Sequence, residues 1–156
     1  MIICCDIDGV LADVREYVLE YLLDGKKDWE TYLEKTLEFP PVLPMVSLIR
    51  TLISNPLHSV YFTTGRPERN RLLTEEWIRR NLLIGFSSYY KLKMRPSRTQ
   101  LTTEELKMGW YQELQPQLII EDEPKIVKAA TEAGFTVLQV HGFRVTENDM
   151  VPPQEV

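Results

Sequence analysis

The sequence has few cysteines and histidines, and it has no long apolar run. Its two cysteines, Cys4 and Cys5, are adjacent in a predicted core strand, so a disulfide framework is excluded and a cytoplasmic location is expected. His58 and His141 are not near any candidate nucleophile, which argues against histidine-based hydrolysis. No stretch approaches the length needed to span a bilayer, and the chain starts on a strand without a basic leader. Neither a membrane association nor a secretory signal is therefore expected.

The sequence also lacks an excess of positive charge. Its formal net charge of -5 argues against a protein that coats nucleic acid by charge alone. Basic residues cluster in two predicted loops, where they can meet phosphates or remain solvated. The clusters are Lys91, Lys93, Arg95 and Arg98 in one loop and Arg66, Arg69 and Arg71 in the other. The 156 residues, of which 44% are hydrophobic, predict one globular domain, with no signal for an oligomeric state.

The first strand and the turn after it carry the main candidate site. Residues 2–5 form a short, undivided apolar run, which is typical of a strand buried on both faces of a parallel sheet. Asp6 and Asp8 follow this run, and Gly9 lets the backbone turn and approach a ligand closely. Ligands of open α/β sheets bind beyond the carboxyl ends of the strands, so these acids are well placed for chemistry. An ordinary strand-ending turn has the same composition.

The rest of the chain alternates helical and strand patterns. Helices are predicted over residues 13–23, from Pro44, over about 68–81, after Thr102 and from Pro124. Strands are predicted over residues 59–62, around 87–90, over 117–120 and over 135–140. Residues 63–67 and 91–96 are predicted as polar loops. Thr102 and Glu105 form a capping box, which places Lys107 near the start of a helix. This order predicts an α/β fold with a parallel sheet, helices on both faces and right-handed crossovers.

Three of the predicted strands end in polar groups. These groups are Asp6 and Asp8, Thr64 and Arg66, and Glu121 and Asp122. Parallel strands point the same way, so all of these side chains must emerge at one edge of the sheet. Solvated surface residues have no reason to choose the same strand ends. The convergence therefore predicts a shared site.

The residues at this edge suit phosphoryl transfer. Carboxylates from two strands make an all-oxygen site for a hard divalent cation, with Mg²⁺ favoured. Asp6 can attack phosphorus, and Asp8 can protonate the leaving oxygen and later take a proton from water. Thr64 and Lys107 can donate to the charge on the transferring phosphoryl group. A turn residue is the less favoured interpretation of Thr64, and spacing alone does not reject a solvated helix lysine for Lys107.

The order of these motifs resembles the haloacid dehalogenase superfamily in its phosphatase branch. The motifs are DIDGVL, TTGR, a helical lysine and IEDEP, over roughly residues 1–140. Five further segments resemble the phosphatase domain of polynucleotide kinase-phosphatases and their stand-alone phage and bacterial relatives. These segments are KDWETYLEK, FPPVLPM, TGRPERNRLLTEEWIRRN, KMRP and VKAATEAGFTVLQV. No G-x-x-x-x-G-K-[ST] loop occurs, so the kinase half of the bifunctional enzymes is absent.

The resemblance implies a Rossmann-like fold with a central parallel five-stranded sheet and a small cap insert at about residues 15–43. A single domain of residues 1–142 would precede a tail of residues 143–156. It further implies a Mg²⁺-dependent phosphomonoesterase with an aspartyl-phosphate intermediate. Its substrates would be nucleotide or polynucleotide-end phosphates, with a 3′-phosphate of DNA or RNA as one candidate.

The resemblance also assigns roles by position. Asp6 is implied as the nucleophile, Asp8 as the acid and base, and Thr64 and Lys107 as phosphoryl-binding residues. The implied metal ligands are Asp6, the backbone carbonyl of Asp8, and Asp122, with Glu121 beside them. Arg66, Gly65 and Arg15 are implied in substrate binding.

Two positions depart from the family pattern. Glu121 stands where the family often has Asp, which bears on metal binding. Thr103 stands where the family often has an acid four residues before the lysine, which bears on the support of Lys107.

Two alternatives to a polynucleotide phosphatase remain, and a third is disfavoured. A nucleoside 5′-monophosphate phosphatase would use the same catalytic residues. A non-catalytic binding protein of the same fold is suggested by Glu121 and Thr103. A phospho-acceptor signalling domain would need an acceptor Asp after a central third strand, and residues 90–94 offer none.

Overall fold

The computed structural model describes residues 1–23, 25–83 and 90–141. Five strands within these ranges form one sheet in the order β3-β2-β1-β4-β5, and every neighbouring pair is parallel. The strands are β1 (Ile2–Cys5), β2 (Ser59–Pro67), β3 (Tyr90–Arg95), β4 (Leu118–Glu121) and β5 (Val137–Gln139). The predicted Rossmann-like α/β architecture is thereby confirmed, with β1 at the centre of the sheet.

Helices of two kinds connect these strands. The longer ones are α3 (Leu43–Ser54), α4 (Arg71–Leu82), α5 (Thr103–Leu114) and α6 (Pro124–Glu132). The segment between β1 and α3 holds short pieces: α1 (Arg15–Tyr17), a π-helix (Val18–Leu22), α2 (Trp29–Glu34) and a 3₁₀-helix (Lys35–Glu38). A further 3₁₀-helix, Glu68–Asn70, precedes α4. No helix in the described part of the chain is both long and apolar enough to cross a membrane.

The alternation of side chains along β1 divides the core between the two faces of the sheet. Ile3 and Cys5 face a large cluster that includes Ile49 of α3 and Trp77 of α4. Cys4 faces a smaller cluster with residues of α5, β4 and α6, namely Tyr111, Ile119, Ile126 and Ala130. Both faces of β1 are therefore covered, and this explains its undivided apolar sequence. The strand β1 ends at Cys5, directly before the polar Asp6.

Two predicted loops are strand instead. Lys91, Lys93 and Arg95 alternate with Leu92 and Met94, which is the period-two pattern of a strand that charged residues concealed in the sequence. This β3 pairs with β2 and lies at an edge of the sheet. Residues 87–89, where a strand was predicted to begin, lie outside the described residues.

The polar segment after Phe62 also stays in the sheet. Thr63 pairs with Lys93 and Pro67 pairs with Arg95, with an irregular register between the two pairs. Thr64, Gly65 and Arg66 therefore occupy a bulged strand end rather than the predicted loop, and bulges of this kind re-aim side chains near functional sites.

The helix predicted over residues 13–23 is shorter and less regular than expected. It begins at Arg15 and continues as a π-helix, in which the Leu23 N–H donates to the Val18 carbonyl at 3.2 Å. We call residues 15–38 the cap. Its aromatic side chains join it to the body of the protein, because the rings of Tyr17 and Tyr32 lie 4.7 and 5.1 Å from the ring of the buried Phe39.

Candidate active site

Asp6 and Asp122 come together because β1 and β4 are neighbours in the sheet. The Asp6 N–H donates to the Ile120 carbonyl at 2.9 Å, which extends the hydrogen-bond ladder one step beyond β1. The Asp6 side chain is buried. One oxygen each of Asp6, Glu121 and Asp122 lies within 4.8 Å of the others. The predicted convergence of carboxylates from two strands is therefore present in the structure.

The turn after Asp6 is tightly constrained around Gly9. The Ile7 carbonyl accepts hydrogen bonds from the N–H groups of Leu11 and Ala12, both at 2.8 Å. Gly9 has φ +83°, and a Cβ there would lie 2.1 Å from Oδ2 of Asp122. The glycine thus allows both the left-handed backbone and the close approach of the Asp122 carboxylate.

Lys107 reaches the same place from helix α5. The capping box forms as predicted: the Thr102 hydroxyl accepts from the Glu105 N–H, and the Glu105 carboxylate accepts from the Thr102 N–H. One turn later, the buried Lys107 Nζ donates to Oδ1 of Asp6 at 2.8 Å and to Oε2 of Glu121 at 2.7 Å. Lys107 is therefore held by two carboxylates and is not a solvated helix lysine.

Glu121 is fully buried and supplies the support for Lys107 that Thr103 does not. Its Oε2 accepts from Lys107 and, at 3.3 Å, from the Tyr111 hydroxyl. Its Oε1 accepts from the N–H groups of Asp122 and Glu123 at 3.1 and 3.2 Å. Thr103 instead accepts a hydrogen bond from Arg95 at 2.7 Å and packs beside Gly65.

The electrostatics of this cluster favour a bound cation. Burial, together with the charges of Asp6 and Glu121, raises the pKa of Asp122 to about 9. Burial also raises the pKa of Asp6 to about 7, although Lys107 opposes this rise. Burial lowers the pKa of Lys107, but Asp6 and Glu121 outweigh it and keep that pKa well above its ordinary value. Lys107 contacts two of the three acids, and the cluster holds more negative than positive charge, so carboxylate oxygens within 4.8 Å of one another could hold a hard divalent ion.

Asp8 is held by Arg66 in a bidentate ion pair. Nε and Nη2 of Arg66 donate to the two carboxylate oxygens of Asp8 at 2.9 and 2.5 Å. Arg66 is itself buried, donates to the Thr74 hydroxyl at 3.2 Å, and lies 5.4 Å from the centre of the Phe39 ring. Arg66, which was predicted to bind substrate, therefore forms an ion pair with Asp8 in this structure.

The remaining predicted site residues are placed differently from one another. Thr64 is fully buried, and its hydroxyl accepts from the Arg66 N–H at 3.2 Å. Gly65 lines the cleft described below. Arg15 lies on α1, where it forms an ion pair with Asp13 at 2.6 Å, and it does not line the described part of that cleft. The structure therefore brings Gly65 to the cleft wall, whereas Thr64 lies directly behind that wall and Arg15 lies away from the described lining.

A cleft of about 890 Å³ opens above these residues. Asp6, Asp8, Lys107, Glu121 and Asp122 lie on its floor, which we call the reaction centre. The cap supplies an apolar wall, formed by Val18, Leu22, Trp29, Tyr32 and Leu33, with Val14 beside it. The basic lining residues outside the reaction centre are Arg66, Arg69, Arg95 and Lys125. The cleft is much larger than a phosphate group requires.

Two features of the site were not predicted from the sequence. Tyr111 contacts Glu121, and its only sequence signal is its position four residues after Lys107, on the same face of a helix. Arg95, predicted in a basic loop, ends strand β3, where its Nη1 donates to the Leu101 carbonyl at 2.6 Å and its Nη2 donates to the Thr103 hydroxyl. It thereby fastens the start of α5 to β3.

The strand order, with the reaction centre at the carboxyl ends of β1 and β4, gives the Rossmann-like α/β fold that the sequence predicted. No family model matches the sequence, and no curated protein matches it significantly. Solved structures do resemble it. A chain in a structure of the Pnkp1/Rnl/Hen1 RNA repair complex superimposes with a TM-score of 0.67 at 18% identity, covering 88% of this chain and 41% of that one.

Two further structures resemble this chain in the same way. A second structure of the Pnkp1/Rnl/Hen1 complex gives a TM-score of 0.66 at 18% identity, over 88% of this chain and 45% of that one. A Thermotoga maritima protein that is described by inference as a beta-phosphoglucomutase gives a TM-score of 0.60 at 16% identity. The match covers 96% of this chain and 89% of that one. The chain thus spans less than half the length of the RNA repair chains that it matches.

Proposed function

We propose that this protein is a Mg²⁺-dependent phosphomonoesterase of the haloacid dehalogenase type, acting on nucleotide or polynucleotide-end phosphates. The observation that carries the proposal is the meeting of Asp6, Asp122 and Lys107 at one rim. Lys107 lies 2.8 Å from Asp6, and the Asp6 and Asp122 carboxylates lie within 4.8 Å. Such a rim can hold one cation and one tetrahedral anion.

The metal would be held by the carboxylates of Asp6 and Asp122 and by the backbone carbonyl of Asp8, with Glu121 in the same cluster. Oxygen donors alone suit Mg²⁺. When bound, the ion would offset the charge of these acids and of the substrate phosphate. The raised pKa of Asp122, about 9, supports this assignment, because a carboxylate that is costly to ionise alone gains most from a cation.

The reaction would proceed in two steps. An oxygen of Asp6 attacks phosphorus, the bond from phosphorus to the leaving oxygen breaks, and Asp8, in its protonated form, gives that oxygen its proton and becomes a carboxylate. Water then attacks phosphorus, Asp8 takes a proton from that water, the bond between phosphorus and the Asp6 oxygen breaks, and inorganic phosphate leaves with both carboxyl groups restored. Lys107 and the Thr64 hydroxyl would donate to the phosphoryl oxygens. Arg66 would hold Asp8 in position and contribute to substrate binding with Gly65, and Arg15 would act only if the cap moves it to the cleft.

The substrate class is supported by the size and chemistry of the cleft. Its volume of about 890 Å³ leaves room for a leaving group as large as a nucleoside. The indole of Trp29 lies on the apolar wall and is 55% exposed, so it can stack on a planar base. Arg69, Arg95 and Lys125 add positive charge for further phosphates. Similarity in fold to a chain of an RNA repair complex agrees with a polynucleotide end, such as a 3′-phosphate.

We also propose the organisation of the chain and its compartment. The described residues up to 141 would form one phosphatase domain, with the insert of about residues 15–43 over the site, whereas the predicted end of the domain at residue 142 and the predicted tail, residues 143–156, lie outside the described residues. The buried Cys4 and Cys5 thiols, which are free, suit a cytoplasmic protein.

The experiment that tests this function measures phosphate release from a panel of substrates. The panel contains an oligonucleotide with a 3′-phosphate, the same oligonucleotide with a 5′-phosphate, free mononucleotides and an aryl phosphate, each with Mg²⁺ and with EDTA. We expect Mg²⁺-dependent release, fastest from an oligonucleotide end. A preference for free mononucleotides would instead identify a nucleotidase. No turnover with any metal would favour a non-catalytic binding protein.

A further inference from the structure

Glu121 differs from the other two acids of the cluster in how fully its oxygens are used. A carboxylate offers about four lone-pair directions. In Glu121 four donors fill them: two backbone N–H groups at Oε1, and Lys107 and Tyr111 at Oε2. The side chain is also completely buried. A metal ion could reach Glu121 only by displacing one of these donors.

Tyr111 is placed to control the oxygen that Lys107 uses. It lies four residues after Lys107 on α5, so both side chains leave the same face of the helix. It is completely buried, and its ring packs 6.2 Å from the ring of Phe135. Burial raises the pKa of its hydroxyl, so the group remains a hydrogen-bond donor at neutral pH. Its 3.3 Å contact therefore restrains Oε2 of Glu121.

We infer that Tyr111 and Glu121 form a clamp that positions Lys107, and that Glu121 stays outside the ligand shell of the metal. The inference rests on the proposed function, because it assigns Lys107 to the phosphoryl group. In the clamp, Tyr111 and two backbone N–H groups orient Glu121, and Glu121 holds Nζ of Lys107 2.8 Å from Asp6. Both clamp members are positioning residues, and Asp6 and Asp122 are the side chains left for the ion.

The test compares Tyr111→Phe, Glu121→Gln and Asp122→Asn by calorimetric Mg²⁺ binding and by turnover. We expect Tyr111→Phe to lower kcat about tenfold with an unchanged KM and unchanged Mg²⁺ affinity, because one hydrogen bond to a charged group is lost. Glu121→Gln should lower kcat at least about a hundredfold and leave Mg²⁺ affinity within about threefold. Asp122→Asn should abolish measurable Mg²⁺ binding. Tyr17→Phe, which removes a hydroxyl that donates to the Glu38 carbonyl, is the matched control and should match the native protein.

Two outcomes would overturn the clamp. If Glu121→Gln weakens Mg²⁺ binding as much as Asp122→Asn does, Glu121 is a ligand. If Tyr111→Phe keeps the native kcat, the tyrosine has no positioning role. A readout independent of turnover is the hydrogen exchange of the Lys107 ammonium by NMR, which should be slow in the native protein and faster in Tyr111→Phe. Equal exchange rates would contradict the clamp, whereas a native protein without turnover would contradict only the proposed function.

Discussion

The floor and the cap wall of the cleft are built in opposite ways. On the floor, Lys107 is buried with Asp6 and Glu121 and contacts them at 2.8 and 2.7 Å, and the half-buried Asp8 is paired with the buried Arg66 at 2.5 and 2.9 Å. On the cap, short helices carry exposed polar contacts. Arg69 and Glu30, which join the cap to the body, are 3.3 Å apart with side chains 62% and 77% exposed.

This difference assigns separate tasks to the two regions. Buried, paired charges are held in one geometry, which is what a reacting phosphoryl group requires. Exposed ion pairs contribute little free energy, so the outer part of the cap near Glu30 can adjust to different leaving groups at small cost, while the ring contacts with Phe39 hold the base of the cap. We therefore expect substitutions on the floor to change the rate, and substitutions on the cap to change which substrates bind.

The largest effect is expected for Asp6→Asn. Removal of the nucleophilic carboxylate should lower kcat at least about a thousandfold, because the amide cannot form the aspartyl phosphate. The measurement is Mg²⁺-dependent release of phosphate from an aryl phosphate, with circular dichroism to confirm folding. Asp28→Asn on the cap is the control, since Asn caps the α2 helix as well as Asp does. A folded Asp6→Asn protein with native turnover would rule out the mechanism.

The second prediction compares two glycines with the same backbone conformation. Gly9 has φ +83° and Gly134 has φ +87°, so alanine at either position should cost about 1–2 kcal/mol of backbone strain. Only at Gly9 would the new Cβ meet a side chain, Asp122. Gly9→Ala should therefore weaken Mg²⁺ binding about 10-fold to 100-fold as well, as measured by calorimetry. Equal Mg²⁺ affinities in the two variants would show that Mg²⁺ binding does not require the Asp122 carboxylate to lie close to the backbone of Gly9.

The third prediction is that carboxyl groups of the two regions change the stability of the folded protein in opposite directions as pH rises. Without metal, the pKa values of Asp6 and Asp122 are raised to about 7 and about 9. Their contribution to stability is complete below about pH 4, where the unfolded chain is protonated too, and is lost as pH rises through these values. On the cap, hydrogen bonds from Thr31 lower the pKa of Asp28, so its contribution exists above about pH 4 and is lost as pH falls.

This pH dependence can be measured as the Tm of the metal-free protein. We expect Tm to fall between about pH 6 and about pH 9, and Mg²⁺ to raise Tm more at about pH 9, since fewer protons then compete for the ligands. The substitution Asp122→Asn should remove much of this decrease in Tm, whereas Asp28→Asn should leave it unchanged. A metal-free Tm that rises over this range would contradict the raised pKa values.

The smallest effect is expected on the cap, for Trp29→Ala. We expect KM for a nucleotide substrate to rise about threefold to tenfold through the loss of stacking, with kcat unchanged. KM for a small alkyl phosphate, which has no ring, should not change. Leu72→Ala, at an 81% exposed apolar residue that does not line the described cleft, is the control. Equal increases in KM for both substrates would mean that Trp29 shapes the cleft rather than contacting a base.

Much of the fold could be predicted because its signals are local. The apolar run of residues 2–5 marks a strand covered on both faces, and the Thr102 capping box marks the start of α5. The two predicted loops were wrong because pairing between strands overrode local polarity. Lys91 and Lys93 form strand contacts only because β2 lies alongside them. The π-helix in the cap likewise has no local sequence signal.

The partners of the site residues were less predictable than the residues themselves. Arg66 was expected at the substrate, and the structure pairs it with Asp8, 58 residues away in the chain. The missing acid at Thr103 was expected to weaken support for Lys107, and Glu121 supplies that support from β4. Ion pairs over such separations depend on strand order, and spacing alone does not encode strand order.

By itself, the sequence determined that this is an α/β protein with acids at the ends of β1 and β4, because apolar periodicity and strand-ending polar residues follow from local chain geometry. Only the tertiary structure decided which charges pair. Lys107 binds Asp6 and Glu121, and Asp8 binds Arg66. A buried charge must find a partner in space to offset the loss of water, and the packing of helices on the sheet determines which partner is within reach.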